Sequence, residues 1–315
     1  MFWPLFDVLQ PRSLDEACRL LKKHASRGVA VLAGGTDLLV DLRRPIIPQH
    51  LPRCKGCDPL TGLPRMALSN PPAYLIALSG ISELKGITAL KNGEITIGPM
   101  TTIAEICRSP QIREKLTALA EGGDHLGSPL VRNRGTLGGN ICNARPAADA
   151  LLPSLVLGCR LELRSSHGAR TVPIEEFVTG PGETVREADE ILAKVIYPAY
   201  NEKTGSSFIK LANRKALEIA VINVASVLTL DDKGNIASAR IALGAVAPTP
   251  LLAKKAAEFL KGKKPTRENF SKAGEIAVGE CRPISDHRGS AAYRLEIVPI
   301  LVRRTLERAA ALIRK

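Results

Sequence analysis

Aromatic residues make up only 3% of this chain, and its seven cysteines are odd in number and scattered. With so few rings the core must be built from Leu, Ile, Val and Ala, and little is left on which nucleic-acid bases would stack. An odd, dispersed set of thiols in 315 residues is not the framework of a small secreted scaffold. Cys18, Cys107 and Cys159 instead read as small core residues. No uncharged apolar run approaches the length of a membrane span, and Met1–Gln10 has no basic n-region followed by an apolar stretch. Gly-x-Gly-x-x-Gly and Gly-x-x-x-x-Gly-Lys-Ser/Thr are both missing, which argues against a Rossmann or P-loop site. These absences lead to the expectation of a soluble, cytoplasmic protein with no membrane span and no nucleic-acid partner.

What the chain does have is apolar content, 45%, enough for a sizeable core, and a net charge of +13. Such a surplus suits an anionic cofactor, an acidic partner subunit or plain solvated surface.

Along the chain, Ser13 and Glu16 open a helix through Ala25 as a capping box, with Leu14, Ala17, Cys18, Leu20 and Leu21 as its apolar stripe. "GVAVLAGG" follows as a buried strand running into a glycine turn. Pro45–Pro72 then changes character: seven of its 28 residues are proline, and it holds Cys54 and Cys57. "YLIAL" and "EITIGPM" read as strands, Thr102 and Glu105 as a second capping box, and Arg113–Ala120 as a helix. After a second glycine turn come a hairpin at His167–Gly168 and a strand in "DEILAKVIYP". Beyond Tyr200, "NVASVLTLDDKGNIASARIALGAV" is a hairpin, followed by helical patterns at Leu251–Leu260, Arg267–Val278 and Ala291–Arg314. The division expected is a domain over 1–204, carrying the 45–72 insertion, and a sheet-plus-helices domain over 205–315.

The two turns, Ala33–Thr36 and Thr136–Asn140, each combine paired glycines with threonine. Glycine lets backbone N–H groups come close to a ligand, and two such nests would suit a diphosphate, with Asp149 and Asn140 bonding sugar hydroxyls.

"AGGTDLL", "IGPMTTIAEI", "RNRGTLGGNICNARPAADALLPSLVLG", "DEILAKVIYP", "FIKLANRKALEIAVINVA" and "SAAYRLEIVPILVRR" occur in that order. As a set they resemble the FAD-binding medium subunit of the molybdenum hydroxylases: the xanthine dehydrogenase, aerobic-type carbon monoxide dehydrogenase and hydroxybenzoyl-CoA reductase family. The resemblance spans nearly the whole chain outside Pro45–Pro72. It implies an α+β fold, a two-part FAD-binding domain of the vanillyl-alcohol-oxidase (PCMH) type followed by a smaller C-terminal flavoprotein domain. It implies non-covalent FAD, with Leu32, Ala33, Gly34, Gly35, Thr36, Asp37 and Leu38 as the first pyrophosphate loop. Thr136, Leu137, Gly138, Gly139 and Asn140 would form the second. Asn140 and Asn143 would contact the cofactor by their side chains, and Asp149 would hold its ribityl region. Ile191 and Leu192 would lie beside the flavin ring, Lys210 near its pyrimidine edge, and Leu126 where some relatives place an aromatic. Glu218 stands where aspartate is expected in a loop near the ring, and Tyr293–Arg294 is expected to pack between domains.

The function implied is electron transfer, with no catalytic residue and no metal ligand on this chain. A molybdenum-binding large subunit would carry the substrate chemistry and an iron–sulfur small subunit would pass electrons. NAD, a quinone or oxygen would be the external carrier. Two other readings stay open: a stand-alone FAD-dependent reductase of the same fold, and a non-enzymatic basic scaffold with a Cys-x-x-C knuckle. For that knuckle, Cys54 and Cys57 have only His50 and Asp58 nearby to complete a site, and no bound metal is expected.

Overall fold

A computed structural model describes residues 5–42 and 71–313. The Cys-x-x-C segment therefore lies outside the described residues.

The first helix, Leu14–His24, begins as expected, with the Ser13 hydroxyl accepting from Glu16 N. The Glu16 carboxylate reaches Arg12 N rather than completing the box on Ser13. Leu14, Ala17, Cys18 and Leu21 bury one face of this helix against Ile76, Leu78, Ile81 and Leu84. Beside it lies a small parallel sheet in which Tyr74–Ala77 is flanked by Asp7–Leu9 and Val29–Leu32.

A second, antiparallel sheet of five strands follows, in the spatial order Ile87–Ala89, Ile95–Ile97, Ile191–Tyr197, Arg160–Ser165 and Gly168–Pro173. The last two form the hairpin expected at His167–Gly168. Thr102 and Glu105 cap the helix Ile103–Arg108 with both reciprocal bonds present. The expected Arg113–Ala120 helix is two helices, Pro110–Lys115 and Thr117–Asp124. Leu116 (φ −127°, ψ 49°) leaves the helical region between them and is fully buried.

The C-terminal part is a four-stranded antiparallel sheet, Thr204–Leu211, Ile222–Leu230, Ile236–Gly244 and Leu251–Leu252, covered by Lys254–Leu260, Arg267–Val278 and Ala291–Ala311. The helix expected from Leu251 starts at Lys254 instead, because Leu251 and Leu252 pair with Leu243 and Ala242.

Side chains alternate across a strand, and here both faces are used. Val224, Leu228, Ile241 and Leu243 pack on the C-terminal helices. Phe208, Ala225, Val227 and Ala242 join the core of the preceding part. Glu121 adds a polar clasp, accepting from Ser207 Oγ (3.0 Å) and Phe208 N (2.6 Å) and pairing with Arg308. Tyr293–Arg294 does not bridge the two parts. Arg294 is buried, and its guanidinium bonds Ala245 O and Asp286, both within the C-terminal part, while Tyr293 is exposed. Burial alone would raise the Asp286 carboxyl, but Arg288 N–H and the Arg294 and Arg288 guanidinium groups hold it below its ordinary value.

No described helix is long and apolar enough to cross a membrane. Five cysteines among the described residues are free thiols, and no described cluster of His, Cys, Asp and Glu could hold a metal.

Candidate functional site at the seam between sheet and helices

The strand Val29–Leu32 ends in the first glycine turn, where Gly35 takes φ +76°. A Cβ on Gly34 would lie 2.0 Å from Arg134 O, so this turn sits directly on the loop that leads into the second. A Cβ on Gly139 would be 3.7 Å from that of Ala33. Residues a hundred apart in sequence are thus in contact.

Their amides differ. Thr136 is the N-cap of the helix Leu137–Cys142, and its hydroxyl accepts from Gly139 N. Leu137 N donates to Thr101 O (3.1 Å), Gly138 N to Pro99 O (2.8 Å) and Asn140 N to Thr136 O (3.0 Å). The second turn is therefore no open nest: the N–H groups of Leu137, Gly138, Gly139 and Asn140 are used within the chain. At the first turn, by contrast, the N–H groups of Gly34, Gly35 and Thr36 and the Thr36 hydroxyl have no hydrogen-bond partner among the described residues. Unpaired donors in a turn at the end of a strand fit an anionic ligand such as a diphosphate.

Asn140 also has a structural task. Its Oδ1 accepts from Ala150 N (3.1 Å) and Leu151 N (3.0 Å), satisfying the start of the helix Leu151–Val156. Its NH2 group and the Asn143 side chain bond no described residue, so both remain available. Leu126 packs at the edge of the large core. Ile191 and Leu192, successive on one strand, go to different cores: Ile191 to that of the first helix, Leu192 to the large one. One apolar ring cannot lie against both side chains from the same side of the sheet.

Asp149 and Lys210 come together. Lys210 Nζ lies 2.5 Å from Asp149 Oδ2, and the two side chains are 6% and 9% exposed. Lys210 also donates to His125 O (3.2 Å). Asn223, directly opposite Lys210 on the neighbouring strand, donates from Nδ2 to Asp149 Oδ1 (3.2 Å) and Ala147 O (3.2 Å). Opposite Asn223 in turn is Gly244, where a Cβ would fall 1.9 Å from Asn223 Oδ1; only glycine leaves room for the carboxamide. Burial raises the Asp149 carboxyl to about 6, against the lowering effects of Lys210 and Asn223. Each carboxylate oxygen keeps a free lone pair and Lys210 keeps one N–H, so the pair can still bond a hydroxyl-bearing ligand. Glu218 lies outside this cluster, paired with Arg214 Nε at 2.6 Å, which lowers its carboxyl.

Neither Asn223 nor Gly244 was singled out from the sequence. The signal was there: one carboxamide inside the otherwise apolar and hydroxyl-bearing run "INVASVLTL", on the face that meets the other part.

Residues 61–200 match the model of the FAD binding domain in molybdopterin dehydrogenase, and 207–309 that of the CO dehydrogenase flavoprotein C-terminal domain. The chain is 31% identical over 300 residues to a putative xanthine dehydrogenase FAD-binding subunit of Escherichia coli K12, covering 95% of this chain and 94% of that one. It is 33% identical over 313 residues to the carbon monoxide dehydrogenase medium chain of Hydrogenophaga pseudoflava, covering 99% of each. Among solved structures, a chain of the Hydrogenophaga pseudoflava carbon monoxide dehydrogenase superposes with a TM-score of 0.87 over 100% of both chains at 31% identity. One from quinoline 2-oxidoreductase of Pseudomonas putida 86 gives 0.84 over 99% of each at 29% identity. Two family matches in tandem and full-length likeness to these proteins place the chain in the family of FAD-binding medium subunits of xanthine dehydrogenase and carbon monoxide dehydrogenase.

Proposed function

We propose that this chain is the flavin relay of a three-subunit molybdenum enzyme. An iron–sulfur small subunit delivers electrons singly, a molybdenum-binding large subunit carries the substrate chemistry, and NAD or a quinone is the external partner. FAD supports one- and two-electron steps, which is the chemistry such a relay needs. The observation that carries this reading is the meeting of the two turns beside the buried Asp149–Lys210–Asn223 cluster, in a chain of this family.

This chain's residues position the cofactor. The free amides of Gly34, Gly35 and Thr36, with the Thr36 hydroxyl, take the diphosphate. The second turn, including Leu137, Gly138 and Gly139, shapes the floor. Asp149 orients sugar or ribityl hydroxyls, assisted by the NH2 groups of Asn140 and Asn143. Lys210 offers its remaining N–H to an acceptor edge of the ring. The division into a cofactor-holding domain, 1–204, and a C-terminal domain, 205–315, follows the same reading, with the seam between them closing over the ligand.

The test uses the assembled complex. Flavin is stripped and restored while iron–sulfur bleaching by substrate and reduction of the external carrier are followed separately. Loss of carrier reduction with bleaching intact, restored by FAD, supports the relay; carrier reduction that persists without flavin overturns it. Acid precipitation should release all the yellow colour, because the attachment proposed is non-covalent.

A further inference from the structure

The strand Ile236–Gly244 is paired along one side with Ile222–Leu230. On its other side, Leu251–Leu252 covers only Ala242 and Leu243. The outer edge is next anchored where Ala253 N donates to Ile241 O (2.9 Å). At the far end Ile236 N donates to Lys263 O, and Gly262 N to Ile236 O, both at 2.8 Å. Between these anchors, among the described residues, no strand lies against the outer edge of Ala237–Arg240.

In an antiparallel ladder the N–H and C=O of one residue point the same way, and the direction alternates along the strand. Ile241 O points outward, so Ile241 N–H and both peptide groups of Ala239 point outward too. No described residue partners them. A cavity of about 340 Å³ runs along this edge. All of Ala237–Ile241 line it, although their side chains alternate between the faces of the sheet. Only a cavity lying along the backbone edge meets five consecutive residues. The opposite wall is one helical face, Lys254, Ala257, Glu258 and Lys261.

We propose that this cleft takes an extended acidic peptide segment of another protein, which pairs with the open edge and continues the line that Leu251–Leu252 begins. Unpaired backbone groups at strand spacing are what an added strand satisfies, over roughly 13 Å for the four residues Ala237–Arg240 between the anchors. The sign of the partner follows from the far wall. Lys254 and Lys261 are both exposed there, against the one lining carboxylate of Glu258. Outside the lining, the charge of Lys255 is offset by Glu280, whose carboxylate accepts from Lys255 N and Ala256 N. Arg240 contributes no free charge, being committed to Glu175 and to the carbonyls of Leu155 and Val156. A second copy of this chain would bring the same lysine wall against itself, in a molecule of net charge +13.

The test uses the full chain with a fluorescein-labelled peptide of alternating aspartate and valine, and a matching peptide of lysine and valine. Binding is read by fluorescence anisotropy, and contact by hydrogen exchange at the Ala239 and Ile241 amides. The acidic peptide should bind and protect both amides, and the basic one should not bind. Ala239→Pro removes one outward N–H at an edge position where proline is tolerated. Lys254→Glu with Lys261→Glu leaves the backbone untouched, and either change should weaken binding about tenfold or more. Equal binding of the two peptides, unchanged amide exchange, or indifference to the charge reversal overturns the proposal. So does self-association of the chain that Ala239→Pro abolishes, because it makes a second copy the occupant.

Discussion

Lys210 and Asn223 stand directly opposite each other on adjacent strands, and both donate to the same buried carboxylate, that of Asp149. The carboxylate arrives from the preceding part of the chain, so three side chains join two layers of the fold.

Removing the cation should be costly. Lys210→Met leaves Asp149 buried without its counter-charge, a change that costs about 3–5 kcal/mol when a buried pair is broken from one side. The double change Lys210→Met with Asp149→Leu should recover most of that stability while still failing to retain flavin. Urea denaturation and the flavin-to-protein ratio check the two halves separately.

The pH dependence follows from the direction of the Asp149 shift. Its folded value, about 6, lies above its ordinary value of 3.8, so the folded chain binds the proton more tightly than the unfolded one. The contribution of this group to stability therefore falls as pH rises between about 4 and about 6, and is constant above that. In flavin-free protein, the stability of the native chain relative to Asp149→Asn should be greater near the lower end of this window than at neutral pH. A difference independent of pH would contradict the shift.

The two glycine turns should respond differently to added carbon. Gly34→Ala drives a methyl into Arg134 O and should lower the melting temperature of the flavin-free chain by several degrees. Gly139→Ala meets only Thr136 Oγ1 at 3.0 Å and the Ala33 methyl, and should fold with little loss. Gly139→Val should still fold and yet hold less flavin. Calorimetry together with flavin absorption separates these outcomes.

Arg294 offers a control that touches none of the side chains proposed to hold the cofactor. Arg294→Leu removes its bonds to Ala245 O and Asp286 and leaves Asp286 to Arg288 alone. About 2–4 kcal/mol of stability should be lost from charged, buried hydrogen bonds. Flavin affinity of the protein that remains folded should be unchanged, which titration with FAD would establish.

Local chemistry explains what could be read from sequence. Ser13 and Thr102 mark helix starts because the hydroxyl and the amide it caps lie three residues apart. The hairpins at His167–Gly168 and Asp231–Asn235 are likewise local. What escaped depends on distant neighbours. The amides of Leu137 and Gly138 read as free because the carbonyls that take them belong to Thr101 and Pro99, nearly forty residues earlier. The Asp149–Lys210 pair closes 61 residues and the Asn223 contact 74, and no spacing rule reaches that far. The long strand Thr204–Leu211 was missed because Gly205, Ser206 and Ser207 carry little strand preference; pairing with Ile222–Leu230 imposes it.

The strand Ile222–Leu230 has no solvent side along most of its length, and this has a consequence for modularity. A gene fragment encoding the C-terminal part alone would present Phe208, Ala225, Val227 and Ala242 to water as a ready adhesive face. The two parts cannot then be exchanged between relatives as independent cassettes unless the seam residues travel with them. On heating they should melt together, in one cooperative endotherm.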